Sequence, residues 1–262
     1  EHGSFPALDP KAGYAFLPQM AVLEYEHLAN PTLLELLPAF TYSRRATRVD
    51  GVMQPEPDRR DWGLTAKAGI TSSLILDATV NPDFSQVESD AGQVDANLRY
   101  SLYYPEKRPF FQEGIENFNV GATQAGPLLT ILHTRTIVDP KLGVKLTGKL
   151  APRDTVALLH ATDEAPPTEP GQPPLEDAHT QALRYKHALQ DDGYLGAFYA
   201  GRDQGPRRNQ VGGPDGQFRL SPSDLISFHA FTSNLQPEGG LERLTGKALG
   251  GEYQHDSSTL GL

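Results

Sequence analysis

Two segments concentrate side chains able to do chemistry. Asn81-Pro82-Asp83-Phe84-Ser85-Gln86-Val87-Glu88-Ser89-Asp90 brings Asn81, Asp83, Gln86, Glu88 and Asp90 close together. Hard oxygen ligands at this density suit calcium, yet the spacing matches no EF-hand loop. Asn-Pro-Asp is also a common turn opener, so a hydrogen-bonded structural loop stands beside the calcium reading. Tyr103-Tyr104-Pro105-Glu106-Lys107-Arg108-Pro109-Phe110-Phe111-Gln112-Glu113-Gly114 is denser still. Glu106 and Glu113 have the residue types of a general acid–base pair. Charges of both signs beside aromatic rings point instead to a loop folded inward, with its rings buried and its cations paired to carboxylates. On that reading Glu106, Lys107, Arg108, Phe110, Phe111 and Glu113 have a structural or gating role, and Arg108 pairs with Glu113 or with one of Asp83, Glu88 and Asp90.

The histidines at 2, 27, 133, 160, 179, 187, 229 and 255 form no His-Glu-x-x-His motif and no metal-ligand spacing. No Gly-x-Ser-x-Gly elbow, phosphate loop or dinucleotide fingerprint occurs. Gly212-Gly213-Pro214-Asp215-Gly216 reads as a bend or bulge in a strand. The expectation is a protein without catalytic residues, metal or cofactor. A net charge of −10 argues against nucleic acid as a partner. There is no cysteine, hence no disulfide framework and no thiolate zinc site.

The elements that must position these segments are short alternating strands. From Trp62 the period is two: Leu64, Ala66, Ala68 and Ile70 alternate with Thr65, Lys67 and Gly69. Leu74, Leu76, Ala78 and Val80 alternate with Ser73, Asp77 and Thr79, Ile75 being the exception. In Val94–Tyr104 the row Val94, Ala96, Leu98, Leu102 and Tyr104 opposes Asp95, Asn97 and Arg99. Leu142, Val144, Leu146 and Leu150 oppose Lys141, Lys145, Thr147 and Lys149. Weaker alternation follows in Thr180–Leu189, Tyr194–Arg202, Arg208–Leu220, Leu225–Ser233 and Gly246–Tyr253.

Connections come in two sizes. Tight polar turns are expected at Thr71–Ser73, Ala151–Asp154, Gln190–Gly193 and Ser221–Asp224. Long Pro-, Gly- and charge-rich loops are expected at Asp163–Thr180, Asp203–Arg208 and Asn234–Thr245. Tight turns on one rim and long loops on the other describe an up-and-down barrel of a bacterial outer membrane. Residues 1–60 read as a lead-in segment and linker, with either a broken helix over Met20–Leu37 or a strand around Thr32–Tyr42, and residues 61–262 as the barrel segment. Both chain ends look cut, so the sheet is expected to stay open. Period-two strands also build soluble sandwiches and propellers, which keeps a soluble β module as the alternative.

At the two dense segments the chain becomes recognisable. Leu74–Asp90 and Pro105–Gly114, with Gly63-Leu64-Thr65, Leu34–Pro38 and Gly143–Lys149, resemble a large uncharacterised bacterial family. Its members typically join a domain similar to family-nine carbohydrate-binding modules to an outer-membrane-type barrel. The resemblance implies an all-β antiparallel meander in the bacterial outer membrane, with lipid as its partner. It further implies a polysaccharide partner reached through an upstream domain, and it supplies no catalytic residue to carry over. The expected function is a non-enzymatic barrel segment that anchors, or passes material for, an attached domain. The alternative is a soluble or surface β module associated with polysaccharide.

Overall fold

Strand periodicity dominates the computed structural model, which describes residues 33–44, 46–49, 51–55, 58–82, 106–122, 131–164, 176–190, 192–237, 239 and 241–255. Its main feature is one 10-stranded antiparallel sheet in the order β1-β4-β5-β6-β7-β8-β9-β10-β11-β12. The strands are β1 (Leu34–Ser43), β4 (Arg59–Thr71), β5 (Leu74–Val80), β6 (Pro140–Ala151), β7 (Asp154–Asp163), β8 (Ala178–Ala188), β9 (Tyr194–Gln204), β10 (Arg207–Ser221), β11 (Asp224–Gln236) and β12 (Leu244–His255). Neighbours in the sheet follow one another along the chain, with one separate hairpin between β1 and β4, so the sheet is a meander. β1 and β12 form its edges and are not paired to each other, in keeping with the open all-β sheet expected.

Several elements differ from the sequence reading. Of the two readings of the lead-in, the strand around Thr32–Tyr42 is the one seen: it is β1, the first strand of the main sheet, with Leu34 paired to Ala68 and Ser43 to Arg59. The stretch read as a linker contains a two-stranded hairpin of β2 (Ala46–Val49) and β3 (Val52–Pro55), and β4 starts at Arg59, before Trp62. Asp203–Arg208 is no long loop. β9 and β10 run to Gln204 and from Arg207, leaving a tight turn at Gly205-Pro206. Gly205 makes it feasible by adopting φ +54°, a conformation L side chains rarely take. Gly212–Gly216 lies inside β10 and pairs continuously with β9. The strand expected at Val94–Tyr104 and the acidic residues Asp83, Gln86, Glu88 and Asp90 lie outside the described residues.

The two faces of the sheet are unlike. On the face shielded by the β5–β6 connection sit Asp77, Thr79, Lys145, Thr147, Arg184, Asp215 and His229, all buried. Ile75, out of step with its leucine neighbours, shares this face because it lies two residues before Asp77. On the other face Leu34, Leu36, Phe40, Trp62, Ile70, Leu150, Leu220 and Leu249 are exposed. The open face thus exposes large apolar side chains, while the covered face mixes buried charges with an apolar cluster that includes Leu159, Phe198 and Phe231.

Candidate functional site

The segment that covers the polar face comprises residues 106–122, with 131–139 beside it. Its local shape follows from Glu106 and Pro109. Glu106 Oε1 accepts the backbone N–H groups of Lys107 at 3.1 Å and Arg108 at 3.0 Å, bending the chain. Pro109 then opens a short helix, Pro109–Gln112, at a position where no donor is needed. That turn delivers Phe110 and Phe111 onto the sheet, 7% and 2% exposed, their rings edge to face at 4.9 Å. β6 is shaped to receive them. A Cβ at Gly143 would lie 2.8 Å from the Phe110 ring, so glycine leaves room for the ring. Phe118 and Ile137 pack with them against Ala157, Leu159, Ala161, Ala182, Phe198 and Phe231. Each buried ring contributes roughly 1.5–3 kcal/mol.

Charges anchor the loop at both ends. Arg108 forms a two-pronged pair with Glu106, Nε to Oε1 and Nη2 to Oε2 both at 2.8 Å. It also donates to the carbonyls of Ile137 at 2.6 Å and Thr134 at 2.8 Å, binding the two halves of the cover together. The guanidinium stacks 4.2 Å from the Phe111 ring centroid. Thr134 Oγ1 donates to Glu106 Oε2 at 2.6 Å. Burial alone would push the Glu106 carboxyl up, but the hydrogen bonds from Arg108 and Thr134 outweigh it and hold the group down at about 2.

This arrangement differs from the expected pairing. Glu113 was a candidate partner for Arg108, yet Glu113 goes to Lys67 of β4. The other candidates, Asp83, Glu88 and Asp90, lie outside the described residues. The spacing favours Glu106 because its carboxylate, two residues from Arg108, reaches the guanidinium and both backbone amides at once. Glu106 and Glu113 are thus paired to different cations, Arg108 and Lys67. Lys107 sits in the bend set by Glu106, to whose carboxylate its backbone N–H donates. Asn81 caps the start of the connection, its amide donating to the Trp62 carbonyl at 2.8 Å.

The sheet grips the loop with residues that sequence reasoning did not single out. Lys145 Nζ donates to the carbonyls of Phe110 at 2.5 Å and Glu113 at 2.6 Å, and lies 3.4 Å from Asp77. Arg184 and Asp215 form a fully buried pair, Nη1 to Oδ1 at 2.5 Å and Nη2 to Oδ2 at 2.6 Å. Asp215 also accepts Tyr194 Oη and the Gly121 N–H, each at 2.9 Å. Arg184 Nε donates to Asn119 O at 3.2 Å. Gly196 makes room for this pair, since a Cβ there would sit 2.5 Å from Arg184 Nη1. At the far end Asp163 accepts the N–H groups of Val138 and Asp139 and pairs with Arg202 at 2.9 Å. The available signal was positional: Arg184 continues the row Ala178, Thr180, Ala182, where small residues leave room for something to lie on the sheet.

The cover leaves a gap. A cavity of about 200 Å³ lies between Asn119–Ala122 and the sheet, lined by Lys186, Tyr194, Gln217, Ser227, Glu252 and Gln254. Among the described residues no group of three or more His, Asp or Glu side chains has the geometry of a metal site. His160 and His179 stack on the open face with ring centroids 6.1 Å apart.

Residues 30–123 match a family described as Domain of unknown function (DUF5916). The match covers β1 to β5 and the loop as far as Gly121 and Ala122. No curated protein and no solved structure matches the chain. Its N-terminal part, from the first strand through the loop that shields the polar face, is thus similar to an uncharacterised domain family.

Proposed function

We propose that this chain is the wall of an outer-membrane-type β-barrel, with lipid on its open face and the covered face turned to the lumen. The loop of residues 106–122 acts as a plug or constriction, and the protein anchors, or passes material for, an attached domain without catalysing a reaction. One observation carries this reading: the apolar residues of the open face form a slanted band.

Register ties Leu34, Ala68, Leu146, Leu183, Thr232 and Lys247 into one row across the sheet. In β1 the apolar residues Leu34 to Tyr42 lie on that row and beyond it toward the long connections, centred on Pro38. In β12 they are Leu249 to Tyr253, beyond the row toward the tight turns and centred on Gly251. The centre moves four residues one way at β1 and four the other way at β12. Eight residues at ~3.3 Å over nine strand steps at ~4.8 Å correspond to a tilt of about 30°. That lies close to the roughly 35–45° tilt of membrane barrels, whose strands cross a level apolar layer obliquely. A soluble sheet has no reason to slant its exposed apolar residues.

Aromatics border the band as interfacial girdles do: Phe40, Tyr42 and Trp62 toward the long connections, Tyr185 and Tyr253 toward the tight turns. Tyr185 and Tyr253 donate to Asp154 and Asp224 at 2.6 Å, keeping their polar ends at the rim. Among the described residues no helix is long and apolar enough to cross a membrane.

A chain without cysteine allows a clean test. Spin labels at Leu249→Cys and Leu146→Cys in phosphatidylcholine vesicles should be accessible to oxygen and shielded from a water-soluble nickel complex. Labels at Gln217→Cys and Glu252→Cys should show the opposite. Water accessibility at Leu146 and Leu249 would sink the reading. A polysaccharide-binding β module is the second reading, favoured by the exposed Phe40 and Trp62 rings 4.5 Å apart. It leaves the slant unexplained. Retention on immobilised polysaccharide that is lost in Trp62→Ala would support it.

A further inference from the structure

We propose that the open face of β10–β12, just beyond the apolar band on the long-connection side, binds the phosphate groups of an anionic lipid headgroup. This rests on the membrane reading above and adds a ligand to it. By parity Arg208 and Gln210 of β10, Asn234 and Gln236 of β11, and Lys247 of β12 share this face, and Arg243 lies just before β12. Arg208, Gln210, Asn234, Gln236 and Arg243 line a common depression of about 300 Å³ with Gly205 and Pro206. Lys247 lies at the band's border, beside Thr232 and next to Leu249, which is 82% exposed.

Three observations point to a phosphorylated lipid. Arg208, Arg243 and Lys247 are exposed and form no ion pair among the described residues, even though Asp203 is the register neighbour of Arg208. On the long-connection side the open faces of β10, β11 and β12 carry no carboxylate, in a chain whose net charge is −10, while Asp203 of β9 and Glu176 beside Gly205 flank the depression. The amides of Gln210, Asn234 and Gln236 line the same depression as the two arginines, giving neutral donors for phosphate or sugar oxygens beside forked charged ones. Acyl chains of a lipid held there would lie along Ala230 and Leu249, and its phosphate would meet the arginines. Long connections face outward in such barrels, so the lipid belongs to the outward leaflet.

The test uses the full chain in dodecyl maltoside micelles, with a diphosphorylated glycolipid and its dephosphorylated form as probes, read by native mass spectrometry. Wild type should retain the diphosphorylated probe. Arg208→Gln/Arg243→Gln/Lys247→Gln should weaken retention on the order of a hundredfold, from about fivefold per cation. Arg208→Lys/Arg243→Lys should keep most of it, which separates loss of charge from loss of fold. Equal retention of both probes, or by the triple variant, overturns the proposal. Full displacement by glycerol phosphate at matched concentration would reassign the site to free phosphate and overturn the lipid source. A chain that stays monomeric without detergent refutes the membrane reading itself, and this inference with it.

Discussion

Replacing Asp215 with Asn tests whether the Arg184–Asp215 pair fastens the loop to the wall. Asp215 is 0% exposed and Arg184 is 1% exposed, so neither can turn to water when its partner is lost. Asp215 accepts two bonds from Arg184, one from Tyr194 and one from the Gly121 N–H. An amide keeps the shape but removes the charge, stranding a buried guanidinium whose remaining acceptors include the carbonyls of Asn119 and Tyr185. Breaking one side of such a pair costs about 3–5 kcal/mol, because the survivor's desolvation is no longer offset. Removing both partners restores much of that. Arg184→Met/Asp215→Leu should cost only about 1–2 kcal/mol, mainly the lost Gly121 and Asn119 contacts. The assay is urea unfolding in nonionic detergent, followed by the fluorescence of Trp62, the single tryptophan. The double-mutant cycle should give a coupling of at least about 2 kcal/mol. Loop cleavage by protease should rise in Asp215→Asn at urea concentrations well below global unfolding. A coupling under about 0.5 kcal/mol, or a single-variant cost below about 1 kcal/mol, would refute the idea that this pair holds the loop.

Three further outcomes are expected. Leu146→Lys places an ammonium at the centre of the band in β6 and should cost roughly 2–4 kcal/mol in phosphatidylcholine vesicles, measured by urea titration, whereas Thr147→Lys on the covered face should not show that lipid-dependent cost. Arg108→Ala strands Glu106 and frees the Thr134 and Ile137 carbonyls, so it should destabilise by about 3–5 kcal/mol and raise single-channel conductance in planar bilayers. Acid should loosen the cover. The Glu106 carboxyl is held down at about 2 from its ordinary 4.5, so its stabilisation is complete above pH 4.5 and fades as pH falls toward 2. Protease protection of the loop should decline across that window in wild type, and Glu106→Gln should be weakly protected at pH 6 with no further decline tied to this group.

The strands were legible in the residues because strand periodicity is local: alternate side chains leave a pleated backbone on opposite faces whatever lies around them. Lys67–Ile70 and Leu142–Leu146 display it openly, and Ser221-Pro222-Ser223-Asp224 announces its own turn. The inward fate of Phe110 and Phe111 was equally local, since two rings among charges have few other places to go. β8 and β9 were harder to read because their covered rows carry small residues to seat the loop, Ala and Thr in β8 and Gly and Ala in β9, which blurs the contrast between faces. The turn at Gly205-Pro206 was misread because proline, glycine and charge mark tight and long connections alike. Pairings across the sheet were decided by the tertiary structure. Arg184 meets Asp215 across 31 residues and Lys145 meets the Glu113 carbonyl across 32. Register brings those groups within reach, and burial then forces each charge to take whichever partner the loop's path supplies. The slant of the apolar band belongs to the same class. Each strand writes its own apolar row, but only the register between strands tells whether those rows lie level or oblique.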